Sequence, residues 1–141
     1  MDGRKMNEHP NAAVARSAYE AVERGDLATF AGHLDDDIVW HESTPGFEGD
    51  YHGRHEALAL LNRVFEQTGI EVSDISIRHI LADDTHAVVL LETTATLGDR
   101  RYSGEYVDVY RLRDGKLTEH WHLAVDPKAE ERFFKVERTW Q

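Results

Sequence analysis

The chain has 141 residues, 40% of them hydrophobic and 30% charged, and 27 Asp and Glu against 16 Lys and Arg leave a formal net charge of −11. That length suits one domain around one core or pocket, and the acid excess excludes a basic nucleic-acid face and disfavours anionic membrane surfaces. The absence of cysteine excludes disulfides, thiolate catalysis and cysteine-ligated zinc. No apolar run reaches the roughly 20 residues of a bilayer span. The opening MDGRKMNEHP has no apolar centre of the secretory kind, so the expectation is a soluble, cytoplasmic protein. Nine histidines remain as the unusual count, none in a tag-like run.

In chain order, Pro10 suits a first helical position, and Asn11 to Arg24 carries Val14, Ala18, Ala21 and Val22 at helical spacing. Gly25 ends that helix and Asp26 caps a second one, Leu27 to about Leu34. A short strand, Ile38 to His41, follows the acidic turn Asp35–Asp37. Glu42 to Gly53, with Pro45 and three glycines, reads as loop or irregular hairpin. A third helix over His55–Gln67 shows the stripe Leu58, Leu61, Val64 and Phe65. From Ile70 the period becomes two, giving strands over Glu71–Leu81, His86–Leu97, Arg101–Arg113 and Leu117–Val125. Their turns are short and the last is Asp114-Gly115, so these strands pair antiparallel. A final short helix, Lys128 to Phe134, closes one end. The fold class is α+β. With no repeat, low-complexity tract or linker, one domain covers 11–134, between a flexible N-terminus at 1–10 and a C-terminal tail at 135–141.

Alternation sorts the strand side chains. Tyr106, Asp108, Tyr110 and Leu112 share one face, opposite Val107 and Val109. His120 and His122 share a face with Thr118 and Ala124, opposite Leu117, Trp121 and Leu123. His41 goes with Val39, and Trp40 with Ile38.

Several pieces in this order, Arg24-Gly25-Asp26-Leu27, the run Asp35 to His41, Gly49 to Ala57, the strand pair Tyr106 to His122, and Asp126, resemble the SnoaL-like branch of the nuclear-transport-factor-like superfamily. The resemblance spans about residues 11–134. It implies a cone-shaped α+β barrel, a curved antiparallel sheet wrapped around a helix and an apolar cavity, and a homodimer. It also implies a small-molecule substrate, with polyketide cyclases, isomerases, dehydratases and plain binding domains all among the relatives. Matched to the ketosteroid isomerases of the superfamily, His41 falls on the general base and Asp108 on a carboxyl donating to an oxyanion. His120 and His122 fall on pocket positions. The isomerases' first-helix tyrosine corresponds to Ala18, with Tyr19 one residue away, which argues against steroid isomerisation.

These residues carry a cofactor-free acid–base reading. His41 titrates near neutrality, where a base is most useful; the bland alternative is a rim histidine bonded to backbone. Asp108, mid-strand among apolar and aromatic neighbours, must be paired with His120 or His122 or have its pKa raised. His120-Trp121-His122 is also the spacing of a two-histidine metal site, with His41 and Asp108 as further ligands; a metal-dependent enzyme is the third reading, after a ligand-binding domain without catalysis. Tyr19, Trp40, Phe47, Tyr106 and Tyr110 are candidate substrate contacts, while Trp121 and Leu123 suit a dimer interface. No cofactor is expected.

Overall fold

The computed structural model describes residues 8–134. The expected C-terminal tail at 135–141, and the expected flexible N-terminus as far as residue 7, lie outside the described residues. The elements are α1 (Pro10–Glu23), α2 (Leu27–His33), β1 (Leu34–Glu42), β2 (Gly49–His52), α3 (Arg54–Thr68), β3 (Glu71–Ala82), β4 (His86–Leu97), β5 (Arg100–Arg113), β6 (Lys116–Ala124) and α4 (Pro127–Phe134). Among them no helix is long and apolar enough to cross a membrane.

The six strands form one sheet in the order β2-β1-β6-β5-β4-β3. It curves around the helices without closing, leaving β2 and β3 as edges. The tightly connected strands β3 to β6 pair antiparallel, as their short turns require. The sheet is nevertheless mixed, because β1 enters beside β6 and runs parallel to it. The β5–β6 hairpin turns on Asp114 and Gly115, both at positive φ, the backbone of a two-residue turn matched to strand twist.

Helix α1 begins at Pro10, the first helical position that the sequence suits, and ends at Glu23. His9 caps it: its Nδ1 accepts the Asn11 N–H at 3.0 Å and its Nε2 lies 3.0 Å from Asp84. The buried side of α1 is Ala12, Ala15, Ala18, Tyr19 and Ala21, with Val14 and Val22 only partly buried. Small residues let the helix sit close to the concave face, and the single large one reaches deep into it. Helix α3 ends on Gly69 in the left-handed conformation and buries Ala57, Leu60 and Val64. Phe65 of its expected stripe is instead 44% exposed.

Two irregularities set the register of the site. In β6, Leu117 pairs with Leu112 while Glu119 pairs with Arg111, so Thr118 is the extra residue of a bulge. Leu117 is therefore fully buried on the same side as His120, and not on the outer face that strict alternation assigns it. Strand β1 extends over the acidic run expected to be a turn, and its pairing with β6 shifts between Leu34 and Val39. Ile38, Trp40 and Glu42 then face inwards.

Candidate active site

The concave face of the sheet, capped by α1, α3 and α4, encloses a cavity of about 240 Å³. Most of its wall is apolar, from Val22, Leu61, Ile75 and Leu91 among others. The polar groups cluster at one end, and strand pairing explains how they meet. Asp108 of β5 lies directly opposite His122 of β6; His120 lies between Tyr110 of β5 and Trp40 of β1.

Asp108 is the hub. Its Oδ1 lies 2.5 Å from His122 Nδ1 and 3.8 Å from His120 Nε2, and its Oδ2 accepts the Tyr19 hydroxyl. Tyr110 donates in turn to the Tyr19 oxygen at 2.8 Å. Burial works against the charge on Asp108, but the neighbouring His122 imidazolium and its hydrogen bond outweigh it, so the carboxyl sits well below the usual range. For His122 burial likewise opposes the charge, and the Asp108 carboxylate overrides it, raising the imidazole to about 9. The pair is thus an ion pair at neutral pH. Burial, followed by the nearby Asp108 charge, raises the hydroxyls of Tyr19 and Tyr110, so both stay protonated donors.

His120 differs from its neighbour. It is 3% exposed, and neither ring nitrogen has a hydrogen-bond partner among the described residues. At 3.8 Å the Asp108 oxygen is too far to bond. The ring is held by stacking, 4.6 Å from Tyr110 and 4.0 Å from Trp40 between centroids. An unpaired buried imidazole costs about 1–3 kcal/mol, and it leaves a proton acceptor or donor free for a ligand.

Of the residues expected in the site, Asp108, His120, His122, Tyr19, Trp40, Tyr106 and Tyr110 line this cavity. His41 does not. Alternation in β1 sends Trp40 inwards and His41 to the outer face, where it lies 2.7 Å from both Asp50 and Glu119 and stacks on Trp121. Burial opposes its charge, and the hydrogen bonds to Glu119 and Asp50 raise it above the ordinary histidine value. Phe47 also lies off the cavity wall. Pro45 and Gly46, the latter at positive φ, form a turn closed by Phe47 N–H to Thr44 at 2.9 Å. That turn packs Phe47 on the core and presents Thr44 to the cavity.

Two carboxylates in the cavity have no counterpart in the sequence reading. Glu42 follows Trp40 by two residues and so shares its inward face, a signal lost by ending the strand at His41. Its oxygens accept from Trp40 Nε1 at 3.1 Å, the Ser43 and Thr44 N–H groups, and the Thr44 hydroxyl. Glu130 stands one turn before Phe133 on α4, both buried, and accepts the Tyr106 hydroxyl at 2.6 Å. Burial raises its carboxyl, with the Tyr106 bond pulling the other way.

Asp108, His120 and His122 each bring a ligand atom within 4.8 Å of the others, the geometry from which a metal site is built. Yet His122 Nδ1 and Asp108 Oδ1 are 2.5 Å apart, whereas two ligands on a tetrahedral ion are separated by roughly 3.3 Å. As arranged, the pair shares a proton, and a cation would have to part it.

Residues 15–120 match the model of the SnoaL-like domain, and the chain belongs to that family. No curated protein matches the chain. Among solved structures it is similar to Bal32a from a soil-derived mobile gene cassette, at 24% identity and TM-score 0.78, covering 89% of this chain and 96% of that one. An NTF2-like protein of Burkholderia pseudomallei shares 22% identity at TM-score 0.79 over 90% and 98% of the two chains. TerC, co-crystallised with polyporic acid, shares 18% at TM-score 0.79 over 90% and 99%. At these identities the likeness is one of fold.

Proposed function

We propose that this SnoaL-like protein is a cofactor-free acid–base enzyme acting on a small enolisable carbonyl compound, of the isomerase, cyclase or dehydratase type. The observation that carries the reading is the imidazole pair on one buried carboxylate. His122 is tied to Asp108, and His120 is buried beside it with both nitrogens unpartnered. In this reading the cationic His122, held in place by Asp108, faces the substrate carbonyl and stabilises the oxyanion that develops. His120 takes the α-proton, and the C–H electron pair becomes the enol double bond. Return of the proton from His120 to another carbon isomerises the substrate, its delivery to a departing β-hydroxyl releases water, and attack of the enol carbon on a second carbonyl, whose oxygen takes the proton, closes a ring. The role of base, first assigned to His41, passes to His120, because His41 faces away from the cavity. General acid–base catalysis of this kind is worth about 10²–10⁴-fold.

The test uses 2-tetralone, a bicyclic ketone small enough for the cavity, incubated with the protein in deuterated buffer while α-proton exchange is followed by NMR. Exchange faster than in buffer, and reduced at least 100-fold by His120→Phe, is the expected result. Binding without exchange would instead support a ligand-binding domain.

The outer face of the sheet supports a homodimer. Val88, Val109 and Trp121 lie in register there, as do Leu90, Val107 and Leu123, and Leu123 is 50% exposed. A second copy apposing the same patch about a two-fold axis would cover this stripe.

A further inference from the structure

Asp108 and Glu42 have both of their oxygens engaged by protein donors. Glu130 differs. Oε2 receives the Tyr106 hydroxyl, while no hydrogen bond among the described residues reaches Oε1. The residue is 3% exposed to solvent yet lines the cavity. The helix that carries it is fixed at both ends. Asp126 accepts the Ala129 N–H at 3.1 Å, Phe133 stacks on Tyr102 at 5.1 Å, and Arg100 Nε donates to the Phe133 carbonyl at 2.9 Å. Tyr106 links the group to the dyad, since its ring stacks 4.4 Å from His122 while its hydroxyl binds Glu130. Both α4 and Glu130 lie beyond the span matched by the family. The described lining contains no Lys or Arg. A ligand carboxylate or phosphate entering here would therefore meet three acidic side chains, and one imidazolium already paired with Asp108. A hydroxyl or amino group would meet an open acceptor.

We propose that Glu130 is a specificity-determining residue that receives a hydroxyl or amino donor of the substrate and turns away acid anions, so that the substrate is a neutral carbonyl compound bearing such a donor. The proposal rests on the acid–base reading of the same cavity. It adds to the hydrogen bond at His122 a second polar contact across the ring system, fixing which face of the substrate meets His120.

The experiment compares 6-hydroxy-2-tetralone with 2-tetralone-6-carboxylate by isothermal titration calorimetry at pH 8, alongside α-proton exchange on unsubstituted 2-tetralone. Wild-type protein should bind the hydroxy probe at least 10-fold more tightly than the carboxylate. Glu130→Gln should reduce that ratio about 10-fold, mainly by gaining affinity for the carboxylate, and Glu130→Asp, which keeps the charge, should retain the preference. A purely structural role would weaken both probes alike and leave the ratio unchanged. If Glu130→Gln does not fold, the wild-type ratio decides alone: equal binding of the two probes, or binding of neither, overturns the proposal. Exchange on 2-tetralone without discrimination between the probes refutes the Glu130 assignment only, and discrimination without exchange refutes the acid–base reading only.

Discussion

Replacing Asp108 by Asn removes one charge from a buried site while nearly preserving its shape, and the consequence falls on His122. In the native protein that imidazole is raised from an ordinary 6.5 to about 9. At about 1.4 kcal/mol for each tenfold change in acidity, the carboxylate and its hydrogen bond stabilise the imidazolium by about 3 kcal/mol net of burial. Because the folded pKa lies above the unfolded one, this contribution is complete below pH 6.5 and disappears as the pH rises through about 9. In Asp108→Asn burial, which favours the neutral ring, is opposed only by the more distant Glu42 and Glu130 charges, so His122 should titrate well below its native value. Two-dimensional ¹H–¹⁵N spectra of the imidazoles between pH 5 and 10 read this directly. Urea unfolding at pH 6 and pH 9.5 reads its thermodynamic image: the wild type should lose about 3 kcal/mol between those values and the variant should not. His41, raised by Glu119 and Asp50 on the outer face, contributes equally to both proteins and cancels in the difference. An His122 that still titrates near 9 in the variant would refute the ion pair, as would a wild-type stability flat across that interval.

Four further outcomes follow from the same geometry. His120→Phe should preserve stacking with Trp40 and Tyr110 and remove two unsatisfied nitrogens, so thermal unfolding should show the variant unchanged or more stable by about 1–3 kcal/mol, while α-proton exchange falls by at least 100-fold. Tyr19→Phe deletes a donor to the buried Asp108 carboxylate and should cost about 1.5–3 kcal/mol in denaturant titrations. His41→Ala should leave exchange within two-fold and cost at most about 1 kcal/mol, since its ion pairs are partly solvated and weaken further in salt; a large loss of activity would return His41 to the mechanism. Leu123→Glu places a charge in the outer apolar stripe and should convert a dimer into monomers by light scattering, whereas an unchanged mass would remove that face as the interface.

The elements of the fold were legible because each has a local cause. The change from helical to two-residue periodicity near Ile70 comes from side chains alternating across a sheet with one face covered. The Asp114-Gly115 turn comes from the positive φ that strand twist demands at both positions. What local pattern could not reveal was pairing between distant segments. Nothing in the sequence of β1 states that it runs parallel to β6, and the bulge at Thr118 shows itself only when Leu112 must face Leu117 while Arg111 faces Glu119. Leu117 was therefore given the wrong face.

The site divides along the same line. Alternation alone sorted Asp108 onto one face of its strand and His120 and His122 onto one face of theirs, and it also placed Trp40 opposite His41. The error over His41 came from preferring a distant resemblance to that alternation: a position aligned with a base in an isomerase is not a base when its side chain leaves the cavity. Tyr19 shows the converse. Helix phase put Ala18 at the aligned position, but a tyrosine spans enough distance for the neighbouring azimuth to deliver its hydroxyl to Asp108. Glu130 was hidden for a further reason, since an acidic residue in a short terminal helix reads as solvated until the partner of its buried face is known. Polar residues in this cavity are legible when a strand fixes their direction, and illegible when a long side chain or a docked helix does. The groups that set the basic chemistry are of the first kind. The one assigned here to specificity is of the second, carried by a docked helix whose buried face is set by its tertiary partner Tyr106 and not by local pattern.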